Sequence, residues 1–167
     1  MAKESWKKYL LTGITVITLV EAYFNYIVLK DYIVIYQTGI FIPLLLQPIV
    51  YRKFLMSEEK VRLINWKLLA MGTISIVLPF VIFFTLPDYT YAEGKEKIAS
   101  TREDTVSFMD LETQRRTIPS IGRDAGLLKS NRIYYYITDN GTEKNYFVVD
   151  PLTGEVQELD QDFYREY

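Results

Sequence analysis

Three long apolar runs in the first half of the chain limit what it can fold into. They cover residues 9–29, 32–50 and 68–86, or 21, 19 and 19 residues, and only the first contains a charged residue, Glu21. A helix needs about 20 apolar residues to cross a hydrocarbon core about 30 Å thick. Buried helices of water-soluble proteins are rarely apolar on every side. The runs therefore predict three transmembrane helices, at 9–29, 32–50 and 68–86.

The first run is interpreted as a retained span and not as a cleaved signal peptide. It follows a basic start, as a signal peptide does. It lacks the short apolar core followed by a small-residue cleavage site, because it continues into Glu21-Ala22-Tyr23-Phe24.

The positions of the basic residues predict the orientation of the spans. Eight of them precede the first run or lie between the second and third: Lys3, Lys7, Lys8, Arg52, Lys53, Lys60, Arg62 and Lys67. The turn after the first run offers only Lys30, and the nearest basic residue beyond the third run is Lys95. Cytoplasmic segments are enriched in Lys and Arg. We therefore expect a multi-pass protein of the cell membrane, with its N-terminus in the cytoplasm and its C-terminal half outside.

The charge balance also divides the chain into two parts. Residues 1–86 contain nine Lys or Arg and five Asp or Glu, whereas residues 87–167 contain ten and sixteen. This predicts a transmembrane domain at 1–86 and an extracytoplasmic domain at 87–167. The formal net charge of the whole chain is −2, which gives no indication of a nucleic-acid partner.

Glu21 lies half-way along the first predicted span, where an ionised carboxylate costs several kcal/mol unless it is paired, hydrated or protonated. Helical spacing places it in one polar stripe with Thr15, Thr18 and Asn25. Gln37 and Gln47 of the second run are candidate partners. Three interpretations remain open: a protonated acid bonded within the bundle, a polar contact to another membrane protein, and a site for proton or ion transport.

The C-terminal half predicts a small α+β domain, in which a helix at 91–99 packs on an antiparallel β-meander. Residues 105–111 alternate like a strand, and strands at 133–138 and 143–149 flank an Asn-Gly turn. A type I′ turn at Asn140-Gly141 would make paired positions sum to 281. A third strand follows a Pro-Gly turn and contains Val156 and Leu159.

The aromatic residues of the hairpin have two interpretations. Aromatic side chains favour strands, so these residues suit a sheet core and its cross-strand pairs. Tyrosine is also enriched at binding sites, so Tyr134, Tyr136 and Phe147 are candidates for a partner-binding surface.

The segment Tyr146-Phe147-Val148-Val149-Asp150-Pro151-Leu152-Thr153-Gly154-Glu155-Val156 resembles the closing hairpin of PepSY-type domains. In that family an aromatic-rich strand leads into an Asp-x-x-Thr-Gly-Glu-type turn and a last strand. The helix at 91–99 resembles the Ala-containing helix that opens such domains. The resemblance implies a non-catalytic extracytoplasmic module that binds or restrains another envelope protein, such as a protease or a cell-wall enzyme.

The residue types disfavour catalysis. The chain has no His and no Cys, which removes the usual general base, thiol nucleophiles and most transition-metal sites. Ser75 has no Lys within any span to activate it. We therefore predict no enzyme, no metal and no cofactor.

Two functions remain. The first is a membrane-anchored binding, regulatory or accessory subunit of a bacterial cell envelope, which presents its outer domain to a membrane or envelope protein. The alternative is a small transporter or channel component that uses Glu21.

Overall fold

The structure, a computed structural model, describes residues 2–37, 39, 42–56, 61–102, 106–120, 126, 128–141 and 143–166. It consists of two compact units. The helical unit comprises residues 1–27 and 38–86, and the sheet unit comprises residues 28–37 and 87–167. The sheet unit thus includes a short segment that the sequence analysis assigned to the membrane half.

The helical unit begins with one long apolar helix. Helix α1 covers Ala2–Tyr32, and its part Trp6–Tyr32, with a mean hydropathy of 1.5, is long and apolar enough to cross a membrane. Helices α2 (Ile42–Leu45), α3 (Gln47–Met56) and α4 (Val61–Thr85) follow. Helix α4 contains Pro79 and most of the third predicted span.

The second predicted span, 32–50, is wrong as one continuous helix. Helix α1 ends at Tyr32, residues 33–37 are not helical, and helix α2 begins at Ile42. Ile33 and Val34 have φ angles of 27° and 62°, in the left-handed region. A right-handed helix cannot continue through such residues, so the apolar run is divided at this point.

The sheet unit contains helix α5 and a small antiparallel sheet. Helix α5 covers Tyr91–Thr101. The five strands are β1 (Ser107–Phe108), β2 (Thr117–Pro119), β3 (Arg132–Asp139), β4 (Lys144–Val149) and β5 (Val156–Leu159). Strands β3, β4 and β5 form a meander, and both β1 and β2 pair with β3. The predicted antiparallel sheet is confirmed, although strand β1 is far shorter than 105–111.

The predicted hairpin register is wrong by two positions. Tyr135 lies opposite Val148 and Tyr136 opposite Phe147, so paired positions sum to 283. The side chains of Asp139 and Asn140 accept hydrogen bonds from the backbone N–H groups of Gly141 and Glu143, both at 2.8 Å. Only Gly141 of these residues has a positive φ, 86°. The centre of the turn therefore lies one residue further along the chain than Asn140-Gly141. Because the partner of each residue shifts by two positions, every side chain stays on its predicted face of the sheet.

Helix α5 starts with a capping box. The Thr90 hydroxyl accepts a hydrogen bond from the Glu93 backbone N–H at 3.2 Å, and the Glu93 carboxylate accepts one from the Thr90 backbone N–H at 2.7 Å. These bonds satisfy two otherwise unpaired backbone donors. The hydrogen bond from the Thr90 backbone also lowers the pKa of Glu93, because it stabilises the charged form.

Both faces of the sheet carry a hydrophobic core. The core on one face contains residues of α5, of β3 and β4, and of the segment 33–37: Ile33, Ile35, Tyr91, Ile98, Tyr134, Tyr136, Phe147 and Val149. The core on the other face contains Leu111, Ile118, Tyr135 and Val148, with Phe163 and Tyr164 packed against it. The sheet is therefore covered on both sides by the chain itself.

The proposed partner surface of Tyr134, Tyr136 and Phe147 is wrong, because these side chains are only 0%, 1% and 4% exposed. The Tyr136 hydroxyl donates to the Tyr91 carbonyl at 2.8 Å, and the Tyr134 hydroxyl donates to the Tyr89 carbonyl at 3.1 Å. A buried phenol needs such an acceptor. Burial also raises the pKa of Tyr136, so this hydroxyl remains a donor.

Gly94→Ala in α5 should destabilise the sheet unit, although Gly→Ala in a helix interior normally stabilises by about 1 kcal/mol. An added Cβ would overlap the Tyr136 hydroxyl and would lie 2.9 Å from ring atom Cζ. We expect a net cost of about 1–3 kcal/mol from this overpacking, measured by amide hydrogen exchange of α5 and β3 in the purified protein. Tyr136→Phe removes one of the overlapping atoms, so adding it to Gly94→Ala should cost less than adding it to the wild type. Slower exchange in Gly94→Ala would contradict this packing.

Candidate functional site

A chain of hydrogen bonds links three helices of the helical unit. The Gln47 side-chain Nε2 donates to Glu21 Oε2 at 3.1 Å, and the Ser75 hydroxyl donates to Gln47 Oε1 at 2.6 Å. Helices α1, α3 and α4 supply one residue each. Gln47 and Ser75 are 5% and 8% exposed. We call Glu21, Gln47 and Ser75 the polar chain.

The structure brings Glu21 and Gln47 together, but not the whole predicted stripe. Thr15 and Thr18 donate their hydroxyls at 2.9 Å to carbonyls of their own helix, those of Leu11 and Ile14. Gln37 is exposed and belongs to the sheet unit. Sequence reasoning missed Ser75 as a member, because it had no way to tell which face of α4 meets Gln47.

Two acceptor atoms near the polar chain are buried and unpaired. Glu21 Oε1 and Asn25 Oδ1 have no hydrogen-bond partner within the described part of the chain. The two residues are four apart on α1 and hence neighbours on one helix face. A buried acceptor without a donor is costly. This pair can therefore accept a proton, a cation or a polar side chain from another protein.

The sheet unit has an open groove of about 360 Å³. Its apolar lining includes Met109, Ile137 and Tyr146, and its charged rim includes Asp110, Glu112, Arg115 and Lys144. Asp110 forms a 2.9 Å ion pair with Arg116, and the Arg115 guanidinium lies 5.1 Å from the centre of the Tyr164 ring. The lining comes from the loop before β2, from β3 and β4, and from the C-terminal segment, so the sequence pattern gave no signal of it.

One carboxylate that lines the groove has a structural role. Asp162 at its edge accepts the Tyr135 hydroxyl at 2.7 Å and the Tyr164 backbone N–H at 3.0 Å, so this carboxylate holds the C-terminal segment on the sheet. The described residues include no group of three or more His, Cys, Asp or Glu that could hold a metal ion.

No protein-family model, no curated protein and no solved structure matches this chain. The features of this protein that bear on its function are therefore one long apolar helix, a small antiparallel sheet, the polar chain and the groove.

Replacement of Glu21 should show whether this side chain acts as a neutral hydrogen-bonding group or as a charged or proton-exchanging acid. Glu21→Gln keeps an acceptor for Gln47 Nε2, so the free energy of unfolding should change little. Glu21→Leu leaves that donor without an acceptor and should cost about 0.5–2 kcal/mol. The measurement is unfolding of the purified protein in detergent.

Thr15→Val is the matched control for the Glu21 variants. Among the described residues, the Thr15 hydroxyl bonds to the Leu11 carbonyl of its own helix, so its loss should have little effect. A Gln variant as damaged as the Leu variant would show that hydrogen bonding alone does not explain Glu21, and would favour a charged or proton-exchanging acid.

Proposed function

We propose that this protein is a non-catalytic, membrane-anchored accessory or regulatory subunit that presents its sheet unit to a membrane or cell-envelope protein. The observation that carries the proposal is the open groove. Both faces of the sheet are filled by the chain itself, whereas the groove is open and is lined by partly exposed apolar side chains and by exposed charged side chains of both signs. Protein-binding surfaces combine apolar with polar and charged side chains.

We also propose three membrane crossings, with the N-terminus in the cytoplasm and the sheet unit outside. Residues 28–37 and 87–167 belong to one compact unit, so they must lie on the same side of a membrane. The chain between them therefore crosses an even number of times. The uncharged part of helix α4, residues 68–85, has 18 residues, about 27 Å at the helical rise, which is close to the thickness of a hydrocarbon core. Residues 38–50 would provide the other, and α1 the first.

The positive-inside rule supports the direction of these crossings. Arg52 and Lys53 lie in the last turns of α3, between the second and third proposed crossings, on the side assigned to the N-terminus. The bilayer is thus the first partner of this chain, and the proposed location is the bacterial cell membrane.

A PepSY-type module remains our proposal for the sheet unit. In its favour, α5 precedes a meander, and the turn between β4 and β5 has the geometry that its residues suggest. Gly154 has a φ of 69° and donates its N–H to the Asp150 carbonyl at 2.9 Å. The Asp150 side chain accepts the Leu152 N–H at 2.8 Å. A module of this kind would bind or restrain an envelope protein without chemistry of its own.

A small transporter or channel component is the second candidate. The unpaired Glu21 Oε1 favours it, because an acceptor of this kind within an apolar helix is suited to binding a proton or a cation.

A groove variant with a matched control tests the accessory function. Glu112→Lys reverses an exposed charge at the groove rim, and Glu96→Lys makes the same change on exposed α5 outside it. The complex is isolated from its native membrane in mild detergent. We expect a stoichiometric co-purifying protein with the wild type and Glu96→Lys, reduced about tenfold or more with Glu112→Lys, as for an interface residue worth over 1.4 kcal/mol.

A transport function predicts a different result. A solitary homo-oligomer that shows pH-dependent flux in liposomes, with flux abolished by Glu21→Gln, would contradict the accessory function and support transport.

A further inference from the structure

The segment 33–37, directly after α1, is part of the core of the sheet unit. Ile33 and Ile35 are 4% and 1% exposed, and both belong to the core cluster that contains Ile98 and Tyr134. Tyr36 is also buried, at 3% exposure. We call residues 33–37 the clasp.

The clasp is held by backbone hydrogen bonds as well as by burial. Tyr36 forms an antiparallel bridge with Lys129. The Ser130 N–H donates to the Ile35 carbonyl at 2.8 Å, and the Gln37 N–H donates to the Leu128 carbonyl at 2.9 Å. The Ser130 hydroxyl adds a 2.7 Å bond to the Val34 carbonyl. The clasp thus pairs with residues 128–130, just before β3, through one isolated β-bridge and its hydrogen bonds.

The docked clasp is strained. Ile33 and Val34 have φ angles of 27° and 62°, and β-branched side chains strongly disfavour such values. The Val34 side chain is 48% exposed, so its own burial does little to offset the strain. What holds the strained backbone in place is the burial of Ile33 and Ile35 on either side, together with the bonds to Ser130.

We propose that the clasp is a conformational switch between α1 and the sheet unit, with a docked state and a released state. Strained backbone conformations persist only where their surroundings hold them, and they concentrate at elements that switch. Release relieves Ile33 and Val34 and uncovers the part of the core beneath Ile35. Displacement of α1, for example by a membrane partner, pulls directly on the clasp because α1 ends at Tyr32. A change in the membrane thereby reaches the sheet unit.

Two buried cysteines test whether the clasp opens by itself. The chain has no native cysteine, so Ile35→Cys and Val149→Cys each provide a single thiol, at positions 1% and 0% exposed in the same core cluster. Each full-length protein is placed in lipid nanodiscs and treated with a water-soluble thiol reagent. We expect the thiol at 35 to react about tenfold or more faster, because local opening needs less free energy than unfolding of the sheet.

A glycine substitution tests whether strain drives the opening. Val34→Gly fits a φ of 62° without penalty, so in the Ile35→Cys protein it should slow labelling about fivefold, as removal of about 1 kcal/mol of strain would. Val156→Gly is the matched control, since Val156 lies in β5 and packs against the same core. It should speed labelling or leave it unchanged.

Two outcomes would overturn the proposal. Equal labelling of the thiols at 35 and 149 would mean that the clasp opens only when the whole sheet unit unfolds. Faster or unchanged labelling after Val34→Gly would mean that the docked clasp stores no strain.

Discussion

The burial of Ile33 and Ile35 in the sheet unit is the interaction on which the rest of the structure depends. It takes two side chains from an apolar run that by composition could lie in lipid and places them in the hydrophobic core of the sheet unit. Burial of an Ile side chain contributes about 1.5–3 kcal/mol relative to exposure. Two such side chains contribute about 3–6 kcal/mol, against strain of order 1–3 kcal/mol for each of Ile33 and Val34, and the hydrogen bonds to residues 128–130 add to the burial. Because the clasp belongs to the sheet unit, the apolar run after α1 is divided.

The tyrosines of β3 show why the core of the sheet is specific. Each of Tyr134, Tyr135 and Tyr136 is at most 1% exposed, and each hydroxyl reaches an acceptor: the carbonyls of Tyr89 and Tyr91, and the Asp162 carboxylate. A phenol that lost its acceptor would carry a desolvation penalty. These bonds therefore fix the positions at which the start of α5 and the C-terminal segment pack against the sheet. A core of purely apolar side chains would lack these directional contacts.

Much of the sheet unit could be predicted from the sequence, and the failures have physical causes. The alternation in 133–138 and 143–149 and the turn residues gave β3, β4 and β5. The register failed because the Asn140 side chain accepts the Glu143 N–H and Asn140 lacks the positive φ that a type I′ turn at Asn140-Gly141 needs. The clasp was missed because an apolar residue such as Ile35 satisfies a lipid-facing and a core position equally well. Glu21 and Gln47 were found because polar residues in an apolar run are conspicuous, whereas the groove arises only when distant loops meet.

A disulfide between the clasp and the sheet unit tests the central claim most directly. Cα atoms of antiparallel neighbours lie about 4.5–5.5 Å apart, within the range of about 4.4–6.8 Å that a disulfide spans. The Tyr36→Cys, Lys129→Cys protein should therefore form an intramolecular disulfide in its native membrane under mild oxidation. The Tyr36→Cys, Asn140→Cys pair, whose second cysteine lies at the hairpin tip beyond β3, should not. Absence of the first disulfide, or equal formation of both, would contradict the docking of the clasp in the sheet unit.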